Sequence, residues 1–276
     1  MTSIRPDLHL HSNASDGALP PGLLAERAAA SGVTLMALTD HDTMDGVNSL
    51  RGQAMPIPVL PGVELSLRGM RSLHLLGYGW PSGETFQAAL EELQHKRRLR
   101  GEQMLARLKA LGMPLPAMPE VKVLGRAHMA RAMAAAGYVP DVQTAFDRYL
   151  GEGCPAYVSA ERLDMAQALR LMRQNGMTPV LAHPALLKKD ELALRGLLGA
   201  WKEQGLMGVE VYHPSQAGKG YAGLERMVRR LGLLVTGGSD YHLDGDSHGL
   251  PGCTLPDWPS ADQDARALLR AVGHPL

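Results

Sequence analysis

The sequence is poor in the groups that usually signal a disulfide scaffold, a membrane span or a nucleic-acid stacking surface. It has only two cysteines, Cys154 and Cys253. That is too few for a disulfide framework, and neither has a neighbouring cysteine at zinc-ligand spacing. Phenylalanine occurs twice, tryptophan three times and tyrosine seven times in 276 residues, which leaves no stacking platform for long RNA. Lysine plus arginine and aspartate plus glutamate both total 28, so the formal net charge is zero. A neutral chain is a poor match for non-specific binding along a polyanion or a membrane surface. No apolar run approaches the length of a membrane span, and the start, MTSIRPDLHLHS, has no signal-peptide apolar region. A reducing cytoplasm is the expected location, with no obligate protein partner inferred.

Histidine is abundant instead: there are 11, several of them beside acidic residues in short clusters. The clusters sit within an alternation of short apolar runs and helix-like stretches. Strands are expected at Asp7–His11, Val33–Thr39, Val59–Leu67, Ser72–Gly77, Thr178–Ala182, Met207–Tyr212 and Leu233–Gly237. Helices are expected at Pro21–Ala30, Asp45–Met55, Met165–Asn175, Asp190–Gln204, Ala222–Leu231 and Ser260–Val272, the last with Ser260 and Asp262 resembling an N-cap. Such alternation predicts an α/β fold built on a parallel sheet closed, or nearly closed, into a barrel. One stretch has no good strand. Glu84–Leu111, Arg126–Ala136 and Val142–Tyr149 are helical in pattern, with a Pro-rich segment, Gly112–Pro119, between the first two. This predicts a helical insert at 83–154 that splits the barrel into 1–82 and 155–276. The basic run His95–Arg100 within it reads as a solvated helix face.

Five clusters carry the chemistry. In Asp7-Leu8-His9-Leu10-His11, residues two apart share one face of a strand, so the carboxylate and both imidazoles project together. Thr39-Asp40-His41-Asp42 follows an apolar run, and Gly62-Val63-Glu64 follows another, with His74 ten residues later. Ala182-His183-Pro184 and Gly238-Ser239-Asp240-Tyr241-His242 end two further runs. Taken singly, each also suits a cap, a turn or a hydrogen-bonded core histidine. Together they fall mostly at the C-terminal ends of expected strands, which converge on one rim of a parallel barrel. So many polar groups on one rim would be costly to bury unless they bind metal. His9, His11, His41, Glu64, His74, His183, Asp240 and His242, with Asp16 as a ninth candidate, exceed the needs of a single catalytic zinc. Nitrogen and oxygen donors without thiolate suit two to three divalent metals, manganese first, with zinc or iron as alternatives.

In this order, DLHLHS, TDHD, GVE, the later histidine, AHP and GSDYH resemble the polymerase-and-histidinol-phosphatase (PHP) domain family. LGRAHMARAMAAAGYV (Leu124–Val139), FDRYLGEGCPAYV (Phe146–Val158) and GVEVYHPS (Gly208–Ser215) are similar to one branch of it. That branch contains 3′,5′-nucleotide bisphosphate phosphatases, which also act as 5′–3′ exoribonucleases on short RNA. The resemblance implies a distorted (β/α)7 barrel with a helical insertion. It also implies a trinuclear metal centre: His9, His11, Glu64 and Asp240 at one position, Glu64 with His74 and His183 at a second, and Asp16, His41 and His242 at a third. Asp7 and Asp40 would orient imidazoles. Hydroxide made available by Lewis-acid cations would attack phosphorus, with His213 and Asp240 as catalytic groups and His213 as proton donor to the leaving oxygen. Arg126, assisted by His128, would hold a second phosphate, with Lys188 a further candidate. Members of this branch often read HPSH where this chain has Gln216, a residue that cannot transfer protons near neutral pH. Gln216 therefore enters as a candidate substrate contact. The implied substrates are a small nucleotide bisphosphate or short RNA. Two alternatives stay open: a histidinol-phosphatase-type phosphomonoesterase and a non-catalytic metal-binding PHP module.

Overall fold

The computed structural model describes residues 3–116, 124–245 and 248–273. The end of the Pro-rich segment, 117–119, lies outside them. Contacts divide the chain into two compact units, Met1–Ala88 with Arg162–Leu276, and Ala89–Glu161.

The first unit is a barrel of seven strands among the described residues: β1 (Pro6–Leu10), β2 (Leu35–Leu38), β3 (Val59–Ser66), β4 (His74–Tyr78), β5 (Thr178–Leu181), β6 (Gly208–Tyr212) and β7 (Leu234–Gly237), paired in chain order. The segment after β7 returns to β1: the amide of Asp240 donates to the His9 carbonyl at 2.9 Å, and that of His11 to Tyr241 at 3.0 Å. The sheet is thus nearly closed. Its strands are buried on both sides, which is why they read as continuous apolar runs (Leu8, Leu10, Val63, Leu65, Leu75, Val180, Val209 and Val211 are all fully buried).

The connecting helices are α1 (Pro21–Ala30), α2 (Asp45–Ser49), α3 (Thr85–Ala110), α4 (Arg126–Ala135), α5 (Val142–Ala145), α6 (Met165–Gln174), α7 (Glu191–Glu203), α8 (Ala222–Arg230) and α9 (Ala261–Val272). Local caps set several starts. Asp164 and Gln167 form a reciprocal capping box on α6, at 2.9 and 3.0 Å, and Asp190 accepts from the Ala193 amide at 2.8 Å on α7. The cap expected on the last helix is not made. Ser260 Oγ donates instead to Asp264 at 2.7 Å, while Asp262 accepts from the Ile4 amide at 2.7 Å and so anchors the first strand's approach. The helix α2 is shorter than expected because Gly52, at φ 74°, turns the chain out of it.

One expectation about the sheet is corrected. β4 runs antiparallel to both β3 and β5. The segment 67–73 contains no helix and folds back as a turn, with Leu67 donating to the Leu73 carbonyl at 2.9 Å. A hairpin needs no crossover helix, and without one the next strand must reverse. The start of β4 therefore lies beside the end of β3, with His74 paired to Ser66.

In the second unit, Met104 and Leu108 of α3 pack with Met129, Ala130 and Met133 of α4 and with Ala145 and Leu150, all nearly or fully buried. The helix expected over Val142–Tyr149 is α5 followed by one π-helical turn, Phe146–Leu150. The basic run is neutralised locally. Lys96 pairs with Glu92 at 3.1 Å and Glu161 at 3.0 Å, Arg98 with Glu102 at 3.2 Å, and buried Arg100 donates to the Val158 carbonyl at 2.7 Å.

Candidate metal centre

Strand alternation places the first candidate ligands. Leu8 and Leu10 of β1 pack into the core while His9 and His11, also fully buried, face the centre of the rim. A turn in which the amides of Ser15 and Gly17 donate to the Ser12 carbonyl, at 3.1 and 2.9 Å, brings Asp16 under His11. His41 follows β2, Glu64 lies within β3, His74 opens β4, His183 follows β5, His213 follows β6, and Asp240 and His242 follow β7. His74 reaches the rim only because β4 is reversed, and it does so from the start of its strand rather than from a C-terminal end.

Glu64 is the junction. Its Oε2 lies 3.4 Å from Nε2 of both His9 and His11 and 2.9 Å from Nδ1 of His41, while its Oε1 lies 2.9 Å from His74 Nδ1 and 3.0 Å from His183 Nε2. Asp240 Oδ1 approaches His9 at 3.3 Å and His11 at 3.1 Å, and Asp16 Oδ1 approaches His242 at 3.2 Å. Four overlapping groups have donor atoms within 4.8 Å of one another: His9, His11, Glu64 and Asp240; His11, Asp16, His41 and His242; His41, Glu64 and His74; and Asp240, His242 and His248.

The donor set fits cations. Among the described residues, His9 Nε2, both ring nitrogens of His11, Glu64 Oε2 and His183 Nδ1 are buried with no hydrogen-bond partner. Such atoms are costly unless something of opposite character binds them. Electrostatics agrees for Glu64, His11 and His74, whereas nearby carboxylates hold His9, His183 and His242 above the usual histidine value, so that a cation there would displace a proton. Burial alone would raise Glu64, but His41, His74 and His9 outweigh it and hold the carboxylate well below its usual range. Burial, helped by His242 and His41, pushes His11 down to about 3, and burial lowers His74 to about 4 despite Glu64. Both rings are thus neutral, as ligands must be. The ligand-bearing turns are also strained: Asp42, His183 and Asp240 have φ of 50°, 27° and 54°.

The other sequence candidates fall elsewhere. Asp7 accepts from the amides of His9, Ser239 and Gly252 at 3.3, 3.0 and 2.7 Å, and Asp40 accepts from the Ser12 amide at 2.8 Å and the hydroxyls of Ser12 and Ser15 at 2.7 and 2.6 Å. These contacts hold main chain and loop rather than the imidazoles the two were expected to orient: Asp7 takes backbone amides, and Asp40 takes one amide and two serine hydroxyls. Glu210, which sequence reasoning missed, does contact a ring: its Oε1 lies 2.9 Å from His9 Nδ1. A lone acid inside the apolar strand sequence GVEVY was the available signal. His248, also missed, has Nδ1 3.4 Å from Asp240 Oδ2. Gln216 is buried and its amide donates to the Gly220 carbonyl at 2.8 Å, closing its own turn. Lys188 is exposed, at φ 52°, just after the turn that follows His183. Arg126 and His128 lie on α4 in the helical unit, where Arg126 stacks 5.5 Å from the Phe146 ring and His128 Nδ1 accepts from the Gly125 amide at 3.1 Å.

Comparison with known proteins places this geometry among relatives. A family model described as PHP domain matches residues 7–181. A protein of Chromobacterium violaceum named 3′,5′-nucleoside bisphosphate phosphatase is 32% identical, covering 95% of this chain and 97% of its own length. A 5′-3′ exoribonuclease of Haemophilus influenzae is 33% identical over 86% of this chain and 89% of its own. An Eggerthella lenta protein named phosphoribosyl 1,2-cyclic phosphate 1,2-diphosphodiesterase is 32% identical over 86% and 93%. A solved structure from Chromobacterium violaceum, described as an amidohydrolase with bound sulfate and no metal, superposes with a TM-score of 0.84 at 31% identity, covering 97% of this chain and 96% of that one.

Proposed function

The chain belongs to the PHP domain family, and from that premise we propose that it is a metal-dependent phosphoesterase removing the 3′-phosphate of nucleoside 3′,5′-bisphosphates. Cleavage of short 5′-phosphorylated RNA from its 5′ end is the second activity of the same site. The observation that carries the reading is Glu64, whose two oxygens divide five imidazoles between them, three on one side and two on the other. A carboxylate so placed would offer one oxygen to divalent cations held with His9, His11 and His41 and the other to cations held with His74 and His183. The proposed ligands are His9, His11, Asp16, His41, Glu64, His74, His183, Asp240 and His242, holding two or three divalent metals, manganese foremost. When bound, such cations lower the pKa of water and neutralise phosphoryl oxygens.

The chain's own residues do the rest by position. His213 Nδ1 accepts from the Ser215 amide at 3.1 Å, a group that can only donate, so its Nε2 carries the proton and points at Asp240 Oδ2, 3.4 Å away. His213 is therefore assigned to orient Asp240 rather than to protonate the leaving oxygen. In the helical unit, expected at 83–154, Arg126 with His128 is assigned to the 5′-phosphate, since a guanidinium binds phosphate through paired hydrogen bonds.

The test is kcat/KM of the manganese-loaded protein for adenosine 3′,5′-bisphosphate, 5′-phosphorylated di- to pentanucleotides, histidinol phosphate and phosphoribosyl 1,2-cyclic phosphate. Preference for either of the last two overturns the substrate assignment. Arg126→Ala should cost the bisphosphate about 10- to 100-fold, from about 1.5–3 kcal/mol for a charged hydrogen bond, and spare a simple monophosphate. Equal losses on both would remove Arg126 from the site.

A further inference from the structure

Glu210 is buried (1% exposed), belongs to none of the ligand groups, and yet both of its oxygens are committed within them. Oε1 meets His9 Nδ1 at 2.9 Å, and Oε2 accepts from the main-chain amide of His183 at 2.8 Å. We propose that Glu210 is a positioning residue that sets both sides of the metal centre at once, fixing the tautomer of His9 and the strained turn that aims His183.

The two contacts do different things. A carboxylate facing Nδ1 keeps the proton there, so Nε2 presents its lone pair toward Glu64 and Asp240, 3.4 and 3.3 Å away. The opposite tautomer would turn an N–H toward those carboxylates and exclude a cation. The second contact acts on backbone. His183 has φ 27° and ψ 61°, a positive-φ conformation uncommon for residues other than glycine and kept by the contacts around it. The hydrogen bond that the His183 amide donates to Glu210 supplies that hold, and it leaves the His183 ring 3.0 Å from Glu64 Oε1 and 3.2 Å from His74. His9 and His183 face different oxygens of Glu64, Oε2 and Oε1. One carboxylate on β6 thereby couples both sides.

A carboxylate is needed because both partners are N–H donors. The amide of a glutamine has one acceptor oxygen, so Glu210→Gln satisfies one partner and turns an NH2 against the other without changing volume. The inference rests on reading these groups as a metal centre. Its test measures metal rather than turnover. Metal-free wild type, Glu210→Gln and His183→Ala would be titrated with Mn²⁺ by calorimetry, with bound manganese counted after desalting and Mn–Mn spin coupling followed by EPR. Glu210→Gln should weaken Mn²⁺ binding about 10- to 100-fold and lose the coupled signal, the range expected when a group supporting a ligand is removed. His183→Ala should lose one manganese and keep the tighter one. A merely structural Glu210 would lower the unfolding midpoint and leave affinity and stoichiometry at wild-type values, which overturns the proposal alone. A wild type that binds no Mn²⁺ overturns both this proposal and the phosphoesterase reading. One measurement needs no variant: in the zinc-loaded wild type, ring ¹⁵N shifts of His9 should show Nδ1 protonated, and protonation at Nε2 overturns the proposal.

Discussion

Replacing Asp7 separates a structural carboxylate from a ligand within one five-residue motif. Asp7 is fully buried, and its two oxygens take three main-chain amides, from His9 in β1, Ser239 after β7 and Gly252 further along, at 3.3, 3.0 and 2.7 Å. It therefore pins the start of the barrel to its closing segment. In Asp7→Ala all three donors lose their partner inside a site that solvent does not reach. At about 1–3 kcal/mol for each stranded group the gross cost is about 3–9 kcal/mol. Against this, burial raises the Asp7 carboxyl, with the three amides only partly opposing it, so removing the acid also removes a desolvation cost. The net is placed at about 3–5 kcal/mol, a large share of the about 5–15 kcal/mol that stabilises a typical protein. At about 2–4 °C per kcal/mol for a chain of this size, the thermal midpoint should fall by roughly 6–20 °C. Asp7→Asn keeps one acceptor and should lose about 1–3 kcal/mol. The assay is thermal and urea unfolding of metal-free protein, with bound manganese counted on the folded fraction. An Asp7→Ala midpoint within a degree or two of wild type refutes the argument. So does an Asp7→Asn variant of normal stability that has lost a metal, because that would make Asp7 a ligand.

Gly238→Ala should behave as an overpacked joint, since a Cβ there would lie 2.4 Å from the His9 Cβ and 2.6 Å from the His9 amide nitrogen. The expected cost is about 1–3 kcal/mol or more, with loss of bound manganese, and a wild-type midpoint in thermal unfolding would contradict it. Affinity for Mn²⁺ should rise with pH. Burial would lower His242, but Asp16, then Asp240, outweigh it and hold the ring at about 9, so below that pH a metal must displace its proton. Titrations between pH 7 and 9 should show up to about a tenfold gain per pH unit, levelling above 9, and a flat profile counts against a ligand role for His242. The metal-free protein should weaken in acid. His11 and His74, held down to about 3 and about 4, stay neutral in the fold while an unfolded histidine protonates near 6.5. Their contribution is present above pH 6.5 and lost as pH falls toward 4, by at most about 1.4 kcal/mol per unit per ring. Urea midpoints at pH 6.5, 5.5 and 4.5 that hold steady would refute this.

The strands were legible because each is an apolar run bounded by turn residues, and their burial on both sides leaves nothing else for such runs to be. All seven expected positions hold a strand, with ends shifted by a few residues. Direction was not legible. Nothing in SLHLLGY states which way the strand runs; the information lies in the segment 67–73, which has no helix to carry a crossover. The crowding of His9, His11, Glu64 and Asp240 followed from spacing and from the strand ends, and the structure brings these four side chains together. The roles of Asp7 and Asp40 did not follow, because a buried carboxylate beside an imidazole in sequence is free to spend its oxygens on amides instead. Glu210 lay open to view as an acid in an apolar strand, but only the barrel's curvature shows that it ends 2.9 Å from a ring on β1.

Sharing is what distinguishes this rim from a row of separate sites. His11, His41, Glu64, Asp240 and His242 each belong to more than one of the groups. The sets implied by the family resemblance keep only Glu64 in common, whereas in the structure His11 joins Asp16, His41 and His242, and His41 also lies with Glu64 and His74. Candidate ligands held in common would make adjacent cation positions interdependent, because a side chain shifted to suit one changes the donors offered to the next. Substitutions at the shared residues should therefore be non-additive. The reversed strand is part of the same geometry. A parallel β4 would carry His74 to the far end of the barrel, and the Glu64 oxygen that faces His74 and His183 would have one imidazole instead of two. Reversal puts the first residue of β4 beside the last of β3, so a hairpin, the shortest connection in the sheet, supplies the ligand that makes Glu64 two-sided.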